Sequence, residues 1–374
     1  MMLRRFCLGR CFGMLLAALC LLPAIPAGAV PRYSARYEQN CMLCHVNPSG
    51  GGMRSSYAAE ELVPKELAMS PRSPEALGAF DAHLNKAITL GADFRNQLML
   101  FTEGSALGSQ QGFFPMQGDV HLAFQLDPRY LLYFKRGISN TYEFYYLGHV
   151  LPWGSYVKGG RFVPPYGWKF DDHTMFVRDY LGLAPPANTD AGIELGLAPK
   201  FGDLQVAVVN GSRGSTLDND RRLAVSGLAS MRFRVGPFAA SAGVSAYTHP
   251  GQAEDFNTAG LFGSLDAWNL TWVGQFDRTR RDPARTAAVR GVVTSHELSW
   301  LVRQGVEALA TYDFFDPDRD LATGAIARWG VGVKVMPRPF VAAEVLYRRS
   351  NIDSGRDFSG RDADEGVFQL HLFY

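Results

Sequence analysis

The sequence has little cysteine: five in 374 residues, and three of these, Cys7, Cys11 and Cys20, fall within the first 29. Cys41 and Cys44 are left, too few to build a disulfide framework. Past the leader, no apolar run reaches the roughly 18 residues of a membrane-spanning helix, so helical spans are excluded as well. Charge of either sign is not in excess. The formal net charge is +1, or about −2 once Arg4, Arg5 and Arg10 leave with the leader, which removes nucleic acid as an expected partner.

What is present begins with that leader. Three arginines precede an apolar stretch over 14–22, and Ala27-Gly28-Ala29 offers small residues for cleavage, predicting a signal peptide over 1–29 and a mature start at Val30. Cys20 follows the bulky Leu19, which argues against a lipid anchor there.

Cys41-Met42-Leu43-Cys44-His45 is the densest chemistry in the chain. Two thiols two residues apart with histidine next match the attachment site of a c-type haem, each thiol closing a thioether and the imidazole binding iron. One backbone turn presents both sulfurs to one porphyrin edge while the next side chain reaches under its face. A bare pair would leave thioredoxin-like chemistry or half a zinc site open, but His45 and the want of a second pair argue against both. The expectation is one covalent haem c, with Cys41 and Cys44 as attachment points and His45 as proximal ligand. Arg32, Arg36 and Arg54 flank the motif and are candidates to pair with the propionates. Candidates for the sixth position are Met69, then Met53 and His83; an open position would instead permit peroxidase-like chemistry.

Residues 30–87 carry this motif and little strand signal, with a turn at 48–52 and a short helix at 56–67. So short a segment buries too little surface to stand without a staple, which covalent haem would supply. From Ile88 onward a period of two takes over. Ile88, Leu90, Phe94, Leu98 and Leu100 alternate with Thr89, Asp93, Arg95 and Gln97, and the pattern recurs at 325–335, 341–348 and 368–374. This is the lipid-out, lumen-in signature of a barrel strand. Sixteen strands are predicted, at 88–102, 114–127, 129–138, 141–151, 155–163, 190–199, 203–210, 223–235, 238–248, 257–267, 269–279, 292–303, 306–315, 325–336, 340–350 and 366–374. Every second connection is tight, as at 127–129, 235–237 and 337–339, matching short periplasmic turns and longer outer loops. The fold class is therefore all-β, a transmembrane antiparallel barrel over 88–374 behind a small haem segment over 30–87, with both barrel ends in the periplasm and no open edge.

The longest connection, 164–190, is a candidate constriction folded into the pore, against an ordinary outer loop. Tyr142, Phe144, Tyr145, Tyr146, Trp153 and Tyr156 read as interfacial girdles. Asp93, Arg95, Glu297, Arg303, Glu307, Asp313, Arg328, Lys334, Glu344 and Arg348 read as lumen charges of both signs. Asp171-Asp172-His173, and Asp362, Asp364 and Glu365, are either cation or ferrous-iron ligands at the mouth or solvated loop residues.

A leader, one C-x-x-C-H early in the mature chain and a barrel of about sixteen strands together resemble the fused monohaem cytochrome-porins of the bacterial outer membrane, best known from iron-oxidising bacteria. The residue-level likeness runs through 31–37, Cys41 to His45 and Pro48, and covers the rest as architecture. The chain departs from that pattern in being short and in Gly50-Gly51-Gly52. The 160–167 stretch separately resembles a strand-to-loop segment of phosphate-type porins. The first resemblance implies electron transfer across the outer membrane from an extracellular donor, ferrous iron in the iron oxidisers, to a periplasmic c-type cytochrome or other carrier. Because the apolar band is roughly 25 Å tall, one haem serves both sides best if 30–87 plugs the lumen. The protein then carries electrons and breaks no bonds. The rival expectation is a diffusion porin in which the haem segment is an appendage.

Overall fold

A computed structural model describes residues 31–37, 39–70, 83–102, 110–138, 142–183, 189–212, 220–352 and 363–374. A three-residue strand, β1 (His83–Asn85), pairs with the start of β2 (Ile88–Phe101). From there the chain runs as an antiparallel meander through β3 (Gln110–Asp127), β4 (Tyr130–Gly137), β5 (Tyr142–Gly148), β6 (Tyr156–Phe162), β7 (Asp190–Leu197), β8 (Gly202–Val209) and β9 (Ala224–Val235). It continues through β10 (Phe238–Pro250), β11 (Glu254–Ala267), β12 (Leu270–Pro283), β13 (Val289–Arg303), β14 (Val306–Asp316), β15 (Ile326–Arg338), β16 (Val341–Ile352) and β17 (Ala363–Phe373). The last strand returns to the first: Gln369 lies opposite Gln97, and the two amides hydrogen bond at 3.0 Å. That pairing closes a sixteen-stranded barrel and leaves no edge to be satisfied by lipid.

All sixteen predicted barrel strands are present. The largest differences are at outer ends, where β3 begins four residues early and β12 runs to Pro283, because strand pairing continues past the point where the hydrophobic alternation fades. Periodicity decides facing. Leu90, Phe94, Trp329, Val331, Val345, Phe368 and Leu370 are exposed on the outside, whereas Asp93, Arg95, Arg328, Lys334, Arg348 and Gln369 are buried inside. An apolar exterior over a charged interior is the inverse of a water-soluble sandwich and suits a lipid surround. The same alternation corrects two sequence expectations. Tyr145 and Tyr156 turn inward and are almost fully buried, so of the expected girdle Tyr142, Phe144, Tyr146 and Trp153 are left. Arg303 stands exposed beside the β13–β14 turn rather than in the lumen.

The tight turns cluster at the end that also holds Ile88 and Tyr374. At the β11–β12 turn both central residues are left-handed, Trp268 with φ 50° and Asn269 with φ 69°, the geometry that matches strand twist in a two-residue hairpin.

The interior is filled by two pieces of chain. One is residues 31–70: helix α1 (Pro31–Tyr37), a one-turn 3-10 helix (Cys41–Leu43) and a π-helix (Ala58–Leu67) that contains Pro64, whose missing N–H leaves a regular α-helical ladder incomplete. The other is the connection after β6, which includes the short helix α2 (Phe176–Asp179) and buries Phe170, Met175, Phe176, Val177 and Leu181. The long loop is thus folded inward rather than outward.

Candidate cofactor site in the barrel lumen

The site is assembled from contacts between residues 31–70 and the wall. Arg36 lies 3.3 Å from Glu307 and 3.5 Å from Asp266, placing α1 against β11–β14 near the turn end. Across the bore, Tyr133 on β4 bonds the Met53 amide at 3.4 Å, and Arg54 lies over the Phe373 ring at 4.9 Å. Lys158 on β6 donates to Asn47 Oδ1 and Ser49 Oγ, each at 3.2 Å. Gln304 donates to the carbonyls of Lys65 and Ala68 at 3.0 and 2.9 Å. The segment therefore touches wall strands on opposite sides of the lumen.

The motif occupies one backbone turn. The amides of Cys44 and His45 both donate to the Cys41 carbonyl, at 3.2 and 2.9 Å, and this curl brings the two thiols to one side. The chain then doubles back through Gly50, Gly51 and Gly52, with φ of 83°, 75° and 69°, so that His45 and Arg54 form an antiparallel bridge. A β-carbon on Gly50 would lie 3.0 Å from Cys41 Sγ, and one on Gly52 would lie 2.6 Å from the Tyr133 hydroxyl. The glycine run, a departure from the resemblance drawn above, thus has a local reason: left-handed backbone pressed against a thiol and against the wall.

Cys41, Cys44 and His45 line a single cavity with about 1010 Å³ of empty space, shared with Trp168, Lys169, Leu228, Arg232 and Phe262. Burial, and next to it Asp203, pushes the Cys41 thiol up to about 11; burial pushes Cys44 up to about 12. Burial, reinforced by Arg54, draws His45 down to about 3. Both thiols are therefore neutral and unpaired with each other, and the imidazole is neutral, as a metal ligand requires. The His45 Nδ1 is buried with no hydrogen-bond partner. Two unbridged thiols, an orphaned imidazole nitrogen, apolar walls and nearby Lys169 and Arg232 fit a covalently held haem.

The other predicted residues lie elsewhere. Arg54 lines a second cavity beside the first, together with His45. Arg36 is engaged by the wall carboxylates, and the Arg32 side chain is outside the described residues. Met53 is buried against Gly91, while Met69 is partly exposed, its amide bonded to the Met336 carbonyl at 2.8 Å. His83 sits on β1, 3.5 Å from Ser56 Oγ and 3.9 Å from Glu60. None of Met53, Met69 and His83 lines the thiol cavity.

His173 was not among the sequence candidates for the sixth position. It lines the second cavity with His45, its Nδ1 is buried without a partner, and burial followed by Arg178 and Arg95 holds it neutral. Only the fold of the inserted loop brings it there, and no local pattern in the sequence signals that. Its acidic neighbours are not free cation ligands: Asp171 pairs with Arg95 at 2.8 Å and Lys334 at 2.5 Å, and Asp172 pairs with Arg348. At the outer end Glu365 pairs with Arg348 at 3.3 Å and Asp364 with Arg349 at 3.6 Å, whereas Asp362 is outside the described residues. Among the described residues no three such side chains converge on a metal site.

The fold is that of the outer-membrane porins. The chain superposes on an anion-selective porin from Comamonas acidovorans with a TM-score of 0.58 at 13% identity, covering 77% of this chain and 99% of that one. OprB of Pseudomonas putida gives 0.58 at 9% identity over 86% of this chain and all of the other, and the channel DcaP of Acinetobacter baumannii gives 0.55 at 10% over 79% and 100%. No protein-family model matches the chain, and no curated protein matches it in sequence. The porin neighbours are covered almost whole, so part of this chain has no counterpart in them.

Proposed function

We propose that this porin-fold barrel resides in the bacterial outer membrane as an electron conduit rather than an open channel, with one covalent haem c held in its lumen. The observation that carries this reading is the placement of Cys41, Cys44 and His45 on one cavity inside the barrel, on a segment tied to the wall at Arg36, Met53, Lys158 and Gln304. Cys41 and Cys44 would anchor the group and His45 would ligate it. Trp168, Leu228 and Phe262 would exclude water, and Lys169 and Arg232 would face the propionates. His173 shares the second cavity with His45, though it does not line the thiol cavity, and would be the candidate for the sixth position. When bound, the group would supply an iron that accepts one electron and gives one up. An extracellular one-electron donor, with ferrous iron suggested by family resemblance alone, and an oxidised periplasmic cytochrome would be the two partners.

A second reading, a diffusion porin with an accessory haem segment, is favoured by the neighbours, which are porins and channels. Proteoliposomes separate the two. With an oxidised small c-type cytochrome enclosed and an impermeant ferrous chelate outside, the first reading expects reduction of the enclosed cytochrome without sugar-driven swelling. Swelling without reduction would establish the diffusion porin instead.

A further inference from the structure

The outward face of β9–β13 changes character row by row toward its outer end. In one row Ala229, Val244, Leu261 and Phe276 lie in register, in the next Gly227, Ala246, Ala259 and Arg278, and in the one beyond Thr248, Asn257, Arg280 and Arg290. Rows on one face are spaced by two residues, roughly 6.7 Å, so the apolar band gives way to arginine within a single step.

Small side chains in the middle row leave a recess. An outward groove with about 960 Å³ of empty space is lined there by Ala246, Ala259, Arg278, Arg280, Arg290 and Arg319. Through Ala246, Thr248, Ala259 and Arg278 it runs into an apolar groove walled by Val206, Val225, Val244, Leu261 and Phe276. Arg280 is engaged by Asp282 at 2.8 Å, whereas Arg278, Arg290 and Arg319 have no ion pair among the described residues. Arg290 stands directly opposite Arg280, and the Arg319 amide donates to the Arg290 carbonyl at 2.9 Å. Like charges facing across a strand pair are unfavourable unless an anion lies between them. Of the acids in the following loop, Asp316 accepts from the Asp318 amide at 3.2 Å and Asp318 from the Asp320 amide at 3.1 Å.

We propose that this face binds a phosphate-bearing lipid of the outer leaflet. Its headgroup phosphate sits among Arg278, Arg290 and Arg319, and one acyl chain lies over Gly227, Ala246 and Ala259. Guanidinium forks match phosphate oxygens in pairs, and the charge sits where the apolar band ends, at the level of a headgroup. The inference uses the barrel alone and stands or falls apart from the haem.

The test uses the full-length protein in mild detergent, with lipid A, dephosphorylated lipid A and inorganic phosphate as probes and the thermal transition as readout. Lipid A is expected to raise the transition, and the other two are not. Arg278→Gln with Arg290→Gln should weaken the half-saturating lipid concentration at least tenfold, and Ala259→Trp, which fills the recess and leaves the charge, should weaken it too. Heat-modifiable mobility on gels reports that each variant is folded. Equal stabilisation by dephosphorylated lipid, a response to inorganic phosphate alone, an unaltered response in the arginine variant, or a second copy of the chain covering the face by mass would each overturn the proposal.

Discussion

Lys158 and Glu194, on neighbouring strands, hold Nζ and Oε2 2.7 Å apart with both side chains fully shielded from water. The lysine spends its other hydrogen bonds on Asn47 and Ser49 of the lumen segment rather than on the barrel. A wall ion pair is thereby made into a mooring. Lys158→Met leaves Glu194 as an uncompensated buried charge, a loss expected to cost about 3–5 kcal/mol. Adding Glu194→Leu should restore most of the barrel's thermal stability while the segment stays loose. Denaturation midpoints read the first effect, and limited proteolysis near residue 47 reads the second.

The glycine run gives a prediction with an internal control. Ala at Gly50, Gly51 or Gly52 meets the same left-handed backbone, about 1–2 kcal/mol of strain, but only Gly50 and Gly52 also press on a neighbour, Cys41 Sγ and the Tyr133 hydroxyl. Near Gly51 the closest atom is a Lys169 methylene at 3.8 Å. Gly50→Ala and Gly52→Ala should therefore lower haem incorporation, by in-gel haem staining at equal protein, clearly more than Gly51→Ala.

Much of the barrel was legible in the sequence because a lipid-facing strand must alternate at every step; Asp93 and Arg95 against Leu90 and Phe94 already fix which face is inside. The C-x-x-C-H spacing was legible because it is local, and the haem it suggests stays a proposal. Arg36 and His173 were not legible, for a common reason. Their surroundings depend on the fold: Arg36 meets Glu307 and Asp266, more than 200 residues away, and His173 shares the second cavity with His45, more than 100 residues earlier. Tyr145 and Tyr156 were misassigned because aromatic content was read without carrying the two-residue period through β5 and β6.

Arg36 ties α1 to two wall carboxylates at the turn end. Arg36→Gln leaves Glu307 and Asp266 without that cation and should free α1. Entry of small sugars in a swelling assay should rise severalfold over the parent protein, and deletion of residues 31–70 should raise it further. No change in either variant would mean that the inserted loop alone blocks passage.

His173→Ala is expected to convert a low-spin visible spectrum to high-spin, whereas Met69→Ala and His83→Ala leave the spectrum as it was. His173→Met, which offers a thioether in place of the imidazole, should restore low spin at a higher potential. A shift produced by Met69→Ala instead would move the sixth ligand to the turn end.

Covalent attachment of the haem is tested most directly by the intact mass of the denatured protein from cells able to mature c-type cytochromes. The predicted mass is that of the chain after leader removal plus one haem, lost on Cys41→Ala with Cys44→Ala. A mass equal to the bare polypeptide in the parent protein would contradict the account.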